Sequence, residues 1–279
     1  MDPRREMVRT YYKVFKRKPN IERPHDLIEK IFWLQLHTDT SLWTRCADKF
    51  AMRGYVKDCG LDVYLPRNLG RWERSEDVDL SSLPDEFVLK TNNGCGTCLF
   101  VRDKKKTNER IVKTKLRRWM NTSYGWSGAQ LHYTRIKPCI IAEELLHQDN
   151  EQMKYSPHSM VDYKVWCING LSENVLVVYD RNETGYCLDL YDTHWNRMKD
   201  KLNFNGHFCF REESIPKPKC LNKMLEIAES LAKPFKEVRV DFYIINNEPV
   251  IGELTFTTGY GYFTEDYYSY LGEKIQLGN

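Results

Sequence analysis

The 279-residue sequence lacks any apolar run of the roughly 18 residues needed to cross a bilayer, and its N-terminus lacks a signal-peptide apolar region. It also lacks a charge bias. Forty-two Lys and Arg face 39 Asp and Glu, for a net charge of +3, so nothing drives the whole chain toward nucleic acid or an anionic membrane. No disulfide framework is visible. Nine cysteines, an odd number, are scattered irregularly and read as reduced, cytoplasmic thiols. Internal repeats and low-complexity tracts are absent. So are a P-loop, a dinucleotide fingerprint and a defensible Ser-His-Asp or Cys-His arrangement. The expectation is a soluble protein without a covalent nucleophile.

The densest signal lies near the C-terminus. Val238 to Tyr243 and Ile251 to Thr257 are strand-like runs, separated by turn chemistry at Asn246-Asn247-Glu248-Pro249. Each run carries one carboxylate, Asp241 or Glu253, in apolar surroundings. Burying a lone carboxylate costs several kcal/mol, so such a group neutralises or finds a cation. Two of them on one hairpin point to a hard divalent ion, Mg²⁺ with Mn²⁺ as the alternative. Side chains alternate along a strand, so Arg239 shares a face with Asp241, and Glu253 with Thr255. A two-residue turn at Asn246-Asn247 puts Asp241 opposite Gly252. A three-residue loop puts it opposite Glu253, and that loop is the expectation. The competing reading is a surface hairpin with Asp241 paired to Arg239.

The remaining chain reads as mixed α+β. Residues 1–20 are basic with interleaved aromatics, a solvated helical arm or a peripheral contact with a membrane or partner. Asp26 and Glu29 resemble a capping box that opens a helix from Leu27 to His37. Arg45 to Cys59 reads as one helix stopped at Gly60. Strands are expected at Glu86–Lys90, Cys98–Val101, Cys139–Leu146, Val161–Ile168 and Asn174–Tyr179, and helices at Thr107–Asn121 and Lys223–Ala232.

Several clusters carry chemistry. Lys90 precedes the loop Asn92 to Thr97, whose glycines Gly94 and Gly96 permit a nest of N–H groups for an anion. Cys95 and Cys98 form a single CxxC with no partner pair, and read as incidental thiols. Glu143, Glu144 and Leu145 end a buried strand, where apolar faces and backbone suit a flat ring such as adenine. Asp162, Lys164 and Trp166 share one face, with Asp180 and Arg181 on the next strand edge, as candidates to position phosphate or carboxylate.

In this order the pieces resemble the TupA-like ATP-grasp family, named for teichuronopeptide synthesis in bacterial cell walls. The resemblance rests on Ala47 to Val56, Leu83 to Asn92, Ile140 to Leu145, Asp162 to Lys164, Arg239 to Asp241 and Glu253 to Thr257. It implies two interlocked α+β lobes with antiparallel sheets and ATP between them: a helical arm over 1–44, a small lobe over 45–138 and a large lobe over 139–279. Lys49 and Lys90 would contact the nucleotide. Asn92, Gly94 and Gly96 would belong to a loop over its phosphates. Glu143, Glu144 and Leu145 would hold adenine. Lys164, Arg181 and Arg239 would face the reacting groups. Asp241, Glu253 and Thr255 would bind magnesium, although Thr255 stands where most ATP-grasp enzymes have Asn. Cys95, Asn93 and Thr258 depart from frequent Ser, His and Pro. The domain that precedes the lobes in many such ligases looks absent or reduced.

The implied activity is ATP-dependent carboxylate–amine ligation through an acyl phosphate. By analogy it joins an amino acid to a uronic acid or other sugar carboxylate in bacterial capsule or cell-wall polysaccharide synthesis. The setting would be cytoplasmic or peripheral at the inner membrane, beside membrane-associated polysaccharide machinery. Two rivals remain. Asp77-Val78-Asp79 could serve a glycosyltransferase using a nucleotide-sugar. Lys104 to Lys106 with Arg117-Arg118 could hold nucleic acid, which the balanced total charge argues against.

Overall fold

The computed structural model describes residues 2–203 and 208–277. Helices α1 (Pro3–Phe15), α2 (Leu27–His37), α3 (Ser41–Ala47) and α4 (Ala51–Asp58) come first. Strands β1 (Asn68–Trp72), β2 (Phe87–Thr91) and β3 (Cys98–Val101), helix α5 (Glu109–Met120) and strand β4 (Ile140–Glu143) follow. The short α6 (Asn150–Met153) leads to β5 (Asp162–Ile168), β6 (Leu171–Asn182) and β7 (Gly185–Tyr191). Helix α7 (Leu221–Ala232), strands β8 (Glu237–Ile245) and β9 (Glu248–Thr255) and helix α8 (Glu265–Lys274) complete the order.

The strands form two antiparallel sheets, β1-β4-β2-β3 and β7-β6-β5-β8-β9. The fold is α+β. Alternation gives each sheet two chemically distinct faces. In the smaller sheet Phe87, Leu89, Val101, Ile140 and Ala142 pack on Val112 and Leu116 of α5. Val88, Lys90, Cys98 and Glu143 take the opposite face. β4 lies inside this sheet, between β1 and β2, so a lobe boundary at 138/139 cuts through the sheet rather than beside it. In the larger sheet Val165, Val177, Val240 and Phe242 pack on Met224, Ala228 and Leu231 of α7. Trp166, Leu176, Leu188 and Leu190 take the other face, against residues of α1, α2 and α8.

Two expectations for the N-terminal third fail for local reasons. The solvated arm is packed: Met7, Tyr11 and Phe15 are buried, the Tyr11 hydroxyl donates to Asp26, and the Arg17 guanidinium lies over the Tyr11 and Phe15 rings. The single helix over 45–59 is broken. The Asp48 carboxylate accepts from Phe50 N at 2.8 Å and Ala51 N at 3.1 Å, capping α4 and leaving Lys49 in the break. The Asp26 cap behaves as expected, accepting from Glu29 N at 2.9 Å. The reading of all cysteines as reduced also fails at one pair. Cys187 on β7 and Cys209 meet across an isolated parallel bridge and are disulfide-bonded.

The key hairpin turns in two residues, not three. Ile245 pairs with Glu248, and Asn246 and Asn247 have φ of 51° and 61°, the left-handed pair of a type I′ turn. That register alone would set Asp241 opposite Gly252. A bulge between Asp241 and Phe242 absorbs Gly252, so Phe242 faces Ile251 while Asp241 faces Glu253. The two carboxylates therefore share a face through the bulge.

His132 is a core residue beneath this ribbon, its ring edge-on to Trp43 and Phe256. Neither ring nitrogen has a partner, and burial, assisted by Arg135, pushes its pKa down to about 3. A His held neutral in the fold charges first in the unfolded chain. Stability is thus complete above the ordinary value near 6.5 and falls as pH drops from there toward 3. Urea unfolding followed with pH should show a loss of about 1.4 kcal/mol per unit in that window. His132→Phe should remove that share of the slope; an unchanged slope would mean that this ring titrates normally.

Candidate functional site

The register of β5, β8 and β9 sets three charges in one row: Lys164 faces Asp241, which faces Glu253. The adjoining row holds Trp166, Arg239 and Thr255. Arg239 grips Asp241 with two bonds, Nε to Oδ1 at 2.6 Å and Nη2 to Oδ2 at 2.7 Å. Lys164 Nζ sits 2.5 Å from both Asp241 Oδ2 and Asp162 Oδ2. Arg239 Nη2 also donates to Thr255 Oγ1 at 3.2 Å, and this hydroxyl donates to Glu253 Oε1 at 3.3 Å. The Asp241–Arg239 pair anticipated as a competing reading is therefore present, but it is buried and joined to a wider network.

The network crosses to the smaller sheet. Lys49 Nζ lies 4.0 Å from Glu253 Oε2 and donates to the Gly94 carbonyl. The break between α3 and α4 makes this bridge possible. Lys90 donates to Glu143 Oε2, whose Oε1 accepts from Arg53 at 3.3 Å. Arg53, absent from the sequence-derived set, also anchors to Pro66 O at 2.7 Å. Its only signal was its position one turn after Lys49.

Electrostatics follow the pairing. Burial alone would raise Asp241, yet Arg239 and Lys164 hold it below the usual carboxylate range. For Asp162 burial wins over Lys164 and the carboxyl is pushed up. Burial would lower Lys90 and Lys164; Glu143 in the first case and Asp162 with Asp241 in the second keep both above the ordinary lysine value. Glu253 contributes to raising Lys90, which ties β9 electrostatically to β2.

Other expected residues divide. Asn92 is buried and structural: its Oδ1 accepts from Cys139 N at 2.7 Å and its Nδ2 donates to Lys137 O at 3.1 Å. Gly94 packs against Tyr124, and Gly96 has φ of 70°, so of the two glycines Gly96 alone uses the left-handed region. Glu144 points away from Glu143 and accepts from Arg67 N at 2.7 Å. Leu145 lines a cavity of about 770 Å³ with Glu144, Pro66, Ile245 and Val250. His147, Gln148, Asp149 and Glu248 also line it, so its wall is mixed, and Ile245 lies on the Asp241 face of β8, the face that carries the charged rows. Arg181 stands apart, exposed over the Tyr186 ring. No ion pair joins it to the network among the described residues. Asp77 and Asp79 lie in an exposed loop, tied to Arg74 and Ser81, and do not gather with the rest.

The donor set fits a hard divalent ion. A carboxylate offers about four lone-pair directions. Arg239 and Lys164 use three on Asp241, leaving one on Oδ1. The Glu253 side chain is 30% exposed against 4% for Asp241, and among the described residues its one hydrogen-bond donor is Thr255. No cluster of three or more His, Cys, Asp or Glu is arranged for a metal among the described residues. Magnesium is commonly held by one or two carboxylates plus waters and substrate phosphates, so a two-carboxylate site suits it.

Structural and ligand roles separate by substitution. Asp241→Asn strips the shared counter-charge from two buried cations and should cost about 3–5 kcal/mol. Glu253→Gln should stay within about 0.5 kcal/mol of the parent. Denaturant midpoints measured without ligand decide this; equal losses would make Glu253 a structural residue.

A sequence profile of the TupA-like ATP-grasp family matches residues 29–276. Comparison with curated proteins finds no match. Among solved structures, a D-alanine–D-alanine ligase from Bacillus anthracis is similar over 83% of this chain and 66% of that one, with 13% identity and a TM-score of 0.51. The same ligase complexed with ATP gives 12% identity, 83% and 65% coverage and 0.49. An L-amino acid ligase from Bacillus licheniformis gives 14%, 84% and 49%, and 0.46. The chain spans under two thirds of the length of these solved chains. Identities this low speak to the fold, which is ATP-grasp. The family profile spans most of the sequence and includes every row of the charged network: the chain belongs to the TupA-like ATP-grasp family.

Proposed function

We propose that the protein is an ATP-dependent carboxylate–amine ligase. The observation that carries this is the network Asp162–Lys164–Asp241–Arg239–Glu253, facing Lys49 and Lys90 across the two sheets. Family membership supports ATP as the phosphoryl donor. The acid is a uronic acid or another sugar carboxylate of a surface polysaccharide, and the amine is an amino acid; the resemblance to the teichuronopeptide family supports that choice. The small lobe then runs through β4, and the large lobe carries the hairpin.

In this reading the substrate carboxylate attacks the terminal phosphorus of ATP, giving an acyl phosphate and ADP. The amine attacks the acyl carbon, phosphate leaves, and an amide forms with release of a proton. Positioning and charge neutralisation dominate such chemistry. Magnesium, when bound by Asp241 and Glu253, with Thr255 beside it, supplies charge neutralisation for the phosphates. Lys49 and Lys90 present cations to the phosphates from the small-lobe side. Arg239 and Lys164 present them from the larger sheet. Leu145, with Ile245 and Val250, gives the adenine an apolar seat, and Glu143 and the Glu144–Leu145 backbone border it. Gly94 and Gly96 let the loop backbone approach the phosphates. Arg181, exposed over the Tyr186 ring and apart from this network, is given no role in this reading.

ATP cleavage to ADP and phosphate, screened against acid and amine pairs, tests this reading. Turnover should require both partners and magnesium. Asp241→Asn and Glu253→Gln should each lower it by about 100-fold or more. Full activity in both variants, or a melting temperature raised by UDP-sugars and not by ATP, would overturn the assignment.

A further inference from the structure

The charge of this chain is unevenly placed. Residues 102–118 contain nine Lys or Arg and two acids, while the whole chain nets only +3, so the remainder is net acidic. This segment covers the turn after β3 and most of α5. Val112 and Leu116 of α5 are buried under the face of the small sheet opposite Lys90. The outer side of α5 therefore points away from the cleft, and the proposed chemistry does not use it.

The basic side chains divide into two flanks. Toward the loop Ser75–Asp77, Arg117 pairs with Glu76 at 2.7 Å and Lys113 with Glu109 at 2.6 Å. On the outer flank, Arg110, Lys115 and Arg118 are exposed and have no acidic partner among the described residues. Ile111 stands between them, 65% exposed. Positions 111, 114, 115 and 118 are neighbours on a helix surface, so Lys115 and Arg118 stand beside one protruding aliphatic group, with Arg110 at its edge. They line a shallow hollow of about 440 Å³ with Ile111 and Thr114.

We infer that this face of α5 docks on an anionic phospholipid surface. Cations complement the headgroup charge, and Ile111 meets the apolar layer just beneath. A nucleic-acid strand fits less well. Single-strand binding uses free aromatic rings for stacking, and the ring on this helix, Trp119, lies under the Lys115 ammonium. The N-terminal segment, the other basic and aromatic stretch, exposes a single ring, Tyr12, because Tyr11 and Phe15 are buried. Docking through α5 leaves the cleft open to solvent. The inference is independent of the ligase reading.

Co-sedimentation with vesicles of phosphatidylglycerol mixed into phosphatidylcholine tests it. The full chain should bind these vesicles at low salt, release them near 0.5 M salt, where the Debye length is about 4 Å, and ignore pure phosphatidylcholine. Lys115→Gln and Arg118→Gln should each weaken binding about fivefold. Ile111→Ser should weaken it further, with an unchanged melting temperature in each case. No vesicle binding, equal binding to neutral vesicles, or no response to these substitutions would overturn the inference. So would RNA or duplex DNA that binds more tightly at the same salt and displaces the vesicles.

Discussion

Everything at the centre of this molecule depends on Asp241 satisfying two buried cations at once. Arg239 and Lys164 both sit within 3 Å of its carboxylate, and all three groups are almost closed to solvent. A lone buried charge of this kind costs several kcal/mol, and attraction offsets that cost only when hydrogen bonds are complete. Strand register makes them complete. Neighbouring strands lie about 4.8 Å apart, so residues opposite one another on β5, β8 and β9 bring their heads together without strain. Asp162, Lys164, Asp241, Arg239 and Glu253 then alternate in sign through space. Remove the central acid and the two cations repel across the same gap that their counter-charge bridges.

The network also explains why the two sheets are held in this relation. Both sheets have apolar faces of their own, served by α5 in one case and by α7 and the α1–α2–α8 group in the other. The link between them is polar. It runs through Lys49 to Gly94 and Glu253, and through the field that Glu253 exerts on Lys90. Such a link can change partners without exposing apolar core, which suits a cleft that must admit a charged ligand.

Much of this was legible in the sequence, and the failures are instructive. Runs of β-rich residues located seven strands, while β1 and β7 were not anticipated. Two isolated carboxylates in apolar runs pointed to the charged rows of the candidate site, because burial makes such residues meaningful. Their convergence was anticipated through the wrong device. The turn has two residues, as its Asn-Asn pair favours, and Gly252 restores the register through a bulge; a bulge is set by tertiary fit and leaves little trace beyond one glycine. The helix break at Asp48 was missed because Asp mid-helix looks like an ordinary surface residue until its cap bonds are seen. Arg53 was missed for a related reason: one arginine on a helix says nothing of what it faces. The Cys187–Cys209 pair has no spacing signature, since it joins a strand to a distant segment whose path only the fold determines.

The same pairing has a consequence for how a charged ligand enters. In the structure every cation of the site already has an acceptor: Lys90 has Glu143, Lys164 has Asp162 and Asp241, Arg239 has Asp241, and Lys49 has the Gly94 carbonyl. A neutral molecule entering the cleft would have to beat these bonds and bring no charge in exchange. A polyphosphate offers several anionic oxygens at once, so Lys90, Lys164 and Arg239 can each trade one charged acceptor for another, and Lys49 can trade a carbonyl for a charged one. Each trade loosens a carboxylate, Glu253 first because it is the most exposed of the four acids. A freed carboxylate beside phosphate oxygens is a suitable place for a hard divalent ion. On the proposed reading the ion and a polyphosphate favour each other's binding through protein charges that neither creates.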